Sequence, residues 1–352
     1  MAPSVITPVT VLTGFLGSGK TTLLNRMLGD ARFADSAVIV NELGDVAIDH
    51  LLVRQASEDI VVLPGGCICC RASGDLVRAL RELHHQRSTG AEGPFKRVVI
   101  ETTGLADPAP VLAALIELPL LAARYSLAGV VATVDAEHGM ATLDRQPEAV
   151  KQAALADRIV ITKVDRAGSV DDLAARLAAL NPGARIQRAA MGDIDPALLF
   201  DTGLFRPAGA PADTAGWLAA GAYRRVGDPR SPHDPRISSF AWRCLEPLAW
   251  EDLERGLETL LELMGARVLR MKGLVNVAGE PGPRAVHAVQ HALYPAARLA
   301  AWPDADRSTR IVFIGRDLEE GAVARILESF TSNSATLPRQ SPWPQPHPPT
   351  KT

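Results

Sequence analysis

The sequence predicts an α/β protein, with a mostly parallel, doubly wound sheet followed by a smaller α+β unit. Three observations carry this. Short β-branched runs alternate with helical patterns through the first part of the chain. A glycine-rich turn, Gly14-Phe15-Leu16-Gly17-Ser18-Gly19-Lys20-Thr21, joins the first of those runs to the first helical pattern. The composition changes at Thr202, and a second series of strands and helices starts near Ile237. Alternation of strand and helix is the pattern of a parallel sheet covered on both faces.

In order, residues 9–13 read as a buried strand, and residues 21–28 as a helix with apolar Leu23, Leu24, Met27 and Leu28. Apolar, β-branched strand runs follow at 37–40, 60–63, 97–100, 130–134 and 158–161. Helical patterns lie between most of them, as at 74–84, 110–118 and 170–180. Residues 203–236 are rich in Gly, Pro and Ala and read as a linker. A second unit spans 237–330, with strands at 237–244, 268–278, 285–289 and 311–314 and helices at 250–263 and 319–330. Phe240, Trp242 and Cys244 share one strand face, which makes Cys244 a core residue. The tail, 331–352, holds six prolines in 22 residues and reads as disordered. The domain limits are thus 1–202, 203–236, 237–330 and 331–352.

Composition excludes several classes. Of 352 residues, 47% are hydrophobic and 22% charged, which is globular. The formal net charge is −3 and aromatics are 5%, so neither a nucleic-acid groove nor an anionic membrane surface is expected. The longest apolar stretch, 111–134, is broken by Glu117, Pro119 and Arg124 and does not read as a membrane span. The N-terminus has no basic region ahead of an apolar one, so a cytoplasmic location is expected.

The glycine-rich turn fits the phosphate-loop spacing. Gly14, Gly17 and Gly19 let the backbone curl so that several N–H groups, with Ser18 among them, face one anion. Lys20 neutralises β/γ-phosphate charge, the Thr21 hydroxyl can ligate Mg²⁺, and Thr22 follows in the first helical turn. Strand 97–100 ends in Glu101-Thr102-Thr103-Gly104. Ligands of open α/β sheets sit at the carboxyl ends of strands, so this turn should face the phosphates. Glu101 can position Mg²⁺-bound or attacking water, and the Gly104 N–H can sense a γ-phosphate. Strand 158–161 ends in Thr162-Lys163-Val164-Asp165. The Asp165 carboxylate can accept from both N1–H and N2–H₂ of guanine, donors that adenine lacks. Lys163 can lie along base and ribose. Thr162 is shorter than an asparagine, so amide contacts at this position are expected to be absent or water-bridged.

Three of the four cysteines crowd into Gly65-Gly66-Cys67-Ile68-Cys69-Cys70, directly after strand 60–63. Thiolates favour Zn²⁺, Cu(I) and similar metals. Cys67, Cys69 and Cys70 leave one tetrahedral position open, which suits a metal that must leave. Glu42 follows strand 37–40 on the same rim and is a candidate fourth ligand; water or a partner residue is the alternative. Buried inert thiols and a redox switch are the competing readings of the cluster. The segment 41–50 can order around a γ-phosphate and relax after hydrolysis. His84 and His85 end a polar helix and read as surface residues. His287, Val289 and His291 fit one strand face, with structure favoured over a secondary metal site, and His233 lies in the linker.

Together these motifs resemble the CobW-type family of P-loop GTPases. The resemblance is carried by GFLGSGKTTLLN (14–25), NELGDVAIDH (41–50), GGCICC (65–70), ETTGLADP (101–108), TKVD (162–165) and, in the second unit, RIVFIGRDL (310–318). It implies a P-loop fold and a slow GTPase that uses GTP, GDP and Mg²⁺. It implies Zn²⁺ or a similar divalent metal held at C-x-C-C and inserted into a client metalloprotein. The second unit would supply the client-docking surface, separable from nucleotide binding. Co²⁺ or Fe²⁺ delivery, of the cobalamin-synthesis or nitrile-hydratase-activator type, is the alternative cargo, and a homodimer is left open. The His-rich stretch that many relatives carry between domains is absent here. A P-loop small-molecule kinase is the rival enzyme class, which leaves the cysteines unexplained.

Overall fold

The computed structural model describes residues 6–41, 60–63, 72–88, 95–200 and 237–331. Seven strands form the first sheet: β1 (Thr7–Gly14), β2 (Ser36–Asn41), β3 (Ile60–Leu63), β4 (Arg97–Glu101), β5 (Tyr125–Asp135), β6 (Arg158–Thr162) and β7 (Arg185–Ala189). Their spatial order is β3-β2-β4-β1-β5-β6-β7. Every pairing is parallel. The side chains alternate between two covered faces. Val9, Val11, Ile39, Val98 and Ile100 pack with helices Ala72–Ser88 and Ala109–Glu117. Leu12, Val38, Val40, Val99 and Val160 pack with helix Lys20–Leu28 on the opposite face. Burial on both faces is why these strands read as unbroken apolar runs.

The chain winds outward from β1 to β2 and β3, returns to place β4 beside β1, then builds β5, β6 and β7 on the other side. That reversal opens a crevice at the carboxyl ends of β1, β4 and β5. Strand limits follow the sequence expectation closely, except that β5 starts earlier, at Tyr125. Strand β7 was not expected: it is a partly exposed edge strand of sequence RIQRA, so no apolar run marks it. Helices Gly139–Arg145 and Pro147–Leu155 also escaped notice. The second is alanine-rich, which blurs an apolar stripe.

The second unit is an antiparallel sheet: β8 (Ile237–Cys244), β9 (Val268–Val275), β10 (Arg284–Val289), β11 (Ala292–Leu293), β12 (Ala297–Arg298) and β13 (Thr309–Arg316). Their order is β11-β10-β9-β13-β8, with β12 against β10. Helices Trp250–Met264 and Glu320–Thr331 cover one face through Leu257, Leu260 and Leu327 against Met271 and Phe313. Cys244 packs at the margin of this cluster, and burial pushes its thiol pKa up. His287 lies buried on β10, but His291 sits in the turn beyond it, where Nδ1 meets Leu261 O at 2.9 Å. The expected shared strand face for these histidines is therefore corrected. His84 is partly exposed and His85 exposed, as read from sequence.

The other face of the second sheet packs on the first unit. Leu269, Leu274, Val312 and Ile314 enclose Ala154, and Val289 and Tyr294 join a cluster with Leu112 and Leu155. Asp157 is the polar centre of this contact. Its Oδ1 accepts from Arg270 Nη2 at 2.6 Å and Lys272 Nζ at 2.5 Å, and its Oδ2 from Val130 N at 2.8 Å. All three side chains are buried. Among the described residues no helix is long and apolar enough to cross a membrane.

Candidate functional site

Four strand ends deliver the site. Strand β1 ends at Gly14, β4 at Glu101, β5 at Asp135 and β6 at Thr162. The registers Leu12↔Glu101, Gly14↔Thr133 and Asp135↔Thr162 align them along one rim. The glycine loop then curls into helix Lys20–Leu28, with Gly14, Gly17 and Gly19 at φ of 141°, 68° and 92°. Only glycine takes such angles without strain. At Gly14 the space is closed as well, since a Cβ would lie 2.2 Å from Thr133 Oγ1. The Ser18 and Thr133 hydroxyls share a hydrogen bond of 2.5 Å beneath the loop.

Lys20 is buried and folds back over the loop. Its Nζ donates to Gly14 O at 2.9 Å and Phe15 O at 3.2 Å. The ammonium thus stands at the centre of the curl, beside the positive end of the helix, where an anion is favoured. The Thr21 hydroxyl donates to Glu101 Oε1 at 3.3 Å. A hydroxyl and a carboxylate so placed are an all-oxygen pair that fits a hard cation such as Mg²⁺. Gly104 abuts the glycine loop: a Cβ there would lie 2.6 Å from Leu16 N and 2.7 Å from Leu16 Cα. Any side chain at 104 would push the two loops apart.

Thr162 meets the loop through its hydroxyl rather than an amide. Its contact to the loop is direct: Oγ1 donates to Ser18 O at 2.7 Å. A short hydroxyl suffices because the loop backbone lies against it, with the Gly19 Cβ direction 3.3 Å from Thr162 Cγ2. Lys163 adopts φ 55° and pairs through Nζ with Asp135 Oδ2 at 2.5 Å. Burial raises the Asp135 pKa, but hydrogen bonds from Lys163 and from the N–H groups of Glu137 and His138 outweigh it and hold the group low. Asp135 is therefore a fixed anion that orients Lys163. Asp165 is exposed at the rim, and its Oδ1 accepts from Met191 N at 3.3 Å. Thr22 is exposed and touches the same turn, its Cγ2 2.8 Å from the Gly192 Cβ direction.

A cavity of about 260 Å³ lies beside the glycine loop, lined by Phe15, Leu16, Asp135, His138, Gln152 and Lys163 among others. Several of its lining residues, among them Thr133, Asp135 and Gln152, belong to no site motif of the sequence. Thr133 and Asp135 end a β-branched run, and the strand-end rule that found Glu101 would have found them. Gln152 carried no signal at all. It is 1% exposed, and its Nε2 donates to Gly104 O at 3.1 Å and Ala106 O at 3.0 Å.

The candidate metal ligands Glu42, Cys67, Cys69 and Cys70 lie outside the described residues, as do His233 and the 41–50 segment beyond Asn41. Among the described residues no group of three or more metal-ligating side chains assembles. The described strands do fix where the two segments start. Asn41 and Leu63 are registered partners at the parallel ends of β2 and β3, and Val40 pairs with Glu101. The chain therefore leaves for Glu42 and for Cys67 from neighbouring points on the rim that holds Glu101.

A glycine loop with a buried lysine, at the switch point of a parallel sheet, defines a P-loop nucleotide-binding protein. The CobW/HypB/UreG nucleotide-binding domain matches residues 8–188, and the cobalamin synthesis protein CobW C-terminal domain matches residues 237–331. The chain belongs to this CobW family. It is 37% identical to zinc chaperone YjiA of Escherichia coli over 312 residues, 89% of this chain and 95% of that protein. It is 30% identical to zinc chaperone CobW of Pseudomonas aeruginosa over 362 residues, 92% of this chain and 91% of that protein. The Zn(II)-bound YjiA GTPase from E. coli superposes with a TM-score of 0.66 at 31% identity, covering 93% of this chain and 99% of that one. A zinc-bound triple mutant of YjiA, with one glutamate and two cysteines replaced by alanine, matches with a TM-score of 0.67 at 30% identity.

Proposed function

We propose that this protein is a GTP-hydrolysing zinc chaperone, which binds Zn²⁺ through Cys67, Cys69 and Cys70 and passes it to a client metalloprotein. One observation carries the reading. The segments bearing Glu42 and the cysteines leave the sheet from registered neighbours on the rim of the phosphate loop. A thiolate-held metal and a nucleoside triphosphate then have adjoining seats. The names and zinc-bound structures of the similar chaperones support zinc as cargo, and the GTPase name of a similar protein supports hydrolysis.

The roles follow from the geometry. The loop N–H groups of Gly17, Gly19 and Lys20 cradle phosphate, and the Lys20 ammonium exchanges its carbonyl partners for β/γ-phosphate oxygens. Thr21 would ligate Mg²⁺ and Glu101 would position its bound water; the ion would neutralise phosphate charge. Gly104, pressed against Leu16, carries the γ-phosphate contact to the loop beyond it. Asp165 reads guanine, and Thr162 and Lys163 hold the base side of the loop. Hydrolysis removes the γ-phosphate contacts and alters metal affinity, and linkage makes the effect reciprocal. The action is placed in the cytoplasm, with the second unit as the face offered to the client.

The test is metal stoichiometry. Replacing Cys67, Cys69 and Cys70 together by Ser should remove one Zn²⁺ equivalent and leave GDP binding intact. The zinc-bound YjiA triple mutant makes the number of equivalents, rather than total loss, the quantity to read. An unchanged count would refute the thiolate site. A phosphorylated small-molecule product in place of free phosphate would favour the kinase reading.

A further inference from the structure

We propose that Gln152 is a positioning residue for GTP hydrolysis, and that its helix is a strut from the γ-phosphate loop to the second unit. Helix Pro147–Leu155 grips the loop after Glu101 with two consecutive side chains. Gln152 Nε2 donates to Gly104 O at 3.1 Å and Ala106 O at 3.0 Å. Lys151 Nζ donates to Asp107 Oδ2 at 2.5 Å, while Asp107 Oδ1 accepts from Ala109 N at 3.0 Å. Positions 104, 106 and 107 are thereby tied to one rigid element. The loop has no slack on its other side either, because Gly104 lies against the Leu16 backbone.

The far end of the helix is equally fixed. Asn181 Nδ2 donates to Ala153 O, Ala154 O and Ala156 O at 2.9, 3.0 and 2.8 Å. Ala154 is enclosed by Leu269, Leu274, Val312 and Ile314 of the second sheet. Two residues past the helix, Asp157 is held by Arg270 and Lys272 of β9. From Gln152 to Asp157 the chain covers only about 8 Å at helical rise. A shift of the Gly104 backbone therefore reaches β9 through groups bonded at both ends.

The bonding pattern separates this from a packing role. The two Gln152 donor bonds go to the loop, not to its own helix, and among the described residues its Oε1 has no hydrogen-bond partner. What the position uses is the donor. Methionine keeps the bulk and loses the donor, and glutamate turns an acceptor toward two carbonyls.

The proposal rests on the reading of 101–107 as the γ-phosphate loop, so Glu101→Gln is measured alongside. In the full chain, Gln152→Met and Gln152→Glu are compared with the parent in three readouts. These are GDP affinity, single-turnover GTP hydrolysis, and amide exchange at residues 268–275 with GDP or a non-hydrolysable GTP analogue. GDP affinity should stay within about twofold, while hydrolysis falls about tenfold, as for a displaced reacting geometry. The nucleotide-dependent exchange difference at 268–275 should be present in the parent and lost in both variants. Parent-like hydrolysis, a retained exchange difference, or no difference in the parent would overturn the proposal. A parallel fall of GDP affinity and hydrolysis would mark a merely structural role and overturn it too. If Glu101→Gln leaves hydrolysis unchanged, the loop reading itself fails; if only Gln152 variants are silent, the strut alone fails. Should the Gln152 variants not fold, Lys151→Met on the partly exposed side of the same grip gives the same readouts.

Discussion

Replacing Asp157 by Asn tests how firmly the two units are joined. The carboxylate balances two cations, Arg270 and Lys272, at 2.6 and 2.5 Å, and the three side chains are 5%, 7% and 6% exposed. Burial raises the Asp157 pKa, but the cations outweigh it and hold the group well below the usual carboxylate range. Asn removes the negative charge and keeps the shape. Its amide must turn a donor toward either the two cations or the Val130 N–H, which bonds Oδ2 at 2.8 Å. Breaking a buried pair from one side costs about 3–5 kcal/mol, because the remaining charges stay buried. At about 2.1 cal/mol/K per residue over 352 residues the slope is about 1.4 °C per kcal/mol, so Tm should fall by about 4–7 °C. Calorimetry of the full chain is the assay. Removing all three charges, as Asp157→Leu, Arg270→Met and Lys272→Met, should recover most of the loss, since an apolar trio carries no desolvation cost. A Tm within 2 °C of the parent for Asp157→Asn would refute the reasoning. The linkage sign is that of a depressed carboxylate. Its contribution is whole above the ordinary value of 3.8 and drains away as pH falls below it toward the folded-state value.

Other outcomes follow from the same geometry. Deleting residues 237–352 should give a poorly soluble, destabilised nucleotide domain, read by melting and light scattering. Val289 and Tyr294 complete its core, and Asp157 loses both cations. Thr162→Ala removes the hydroxyl bond to Ser18 O, worth about 1 kcal/mol, so GDP affinity measured by titration should fall about fivefold. Asp165→Asn should lower GTP affinity and raise that for xanthosine triphosphate, whose O2 accepts from the new amide. A competition titration that finds the preference unchanged would remove Asp165 from base reading.

What the sequence revealed depended on how local the signal was. The glycine loop was legible because its spacing demands particular backbone angles and one cation. Glu101 and Thr162 followed from a topological rule about strand ends, and the same rule, applied to β5, reaches Asp135. β7 was hidden because an edge strand needs no apolar run. Gln152 was hidden because a buried amide on an alanine-rich helix looks like any polar helix residue until its carbonyl partners are known. Arg270 and Lys272 lie in the expected strand 268–278, where nothing local marks a buried partner. Only the fold brings Asp157, more than a hundred residues earlier, against them. The same holds for the apolar contact between the units, where Val289 and Tyr294 join the first unit's core and Ala154 joins the second sheet's.

The measurement closest to the proposed function is a Zn²⁺ titration in reducing buffer, run once with GDP and once with a non-hydrolysable GTP analogue. Coupling between the two sites requires dissociation constants that differ by at least about fivefold, and a GTP-analogue affinity that shifts by the same factor when Zn²⁺ is present. Equal zinc affinities in the two nucleotide states would contradict it, leaving a nucleotide hydrolase with an uncoupled metal site.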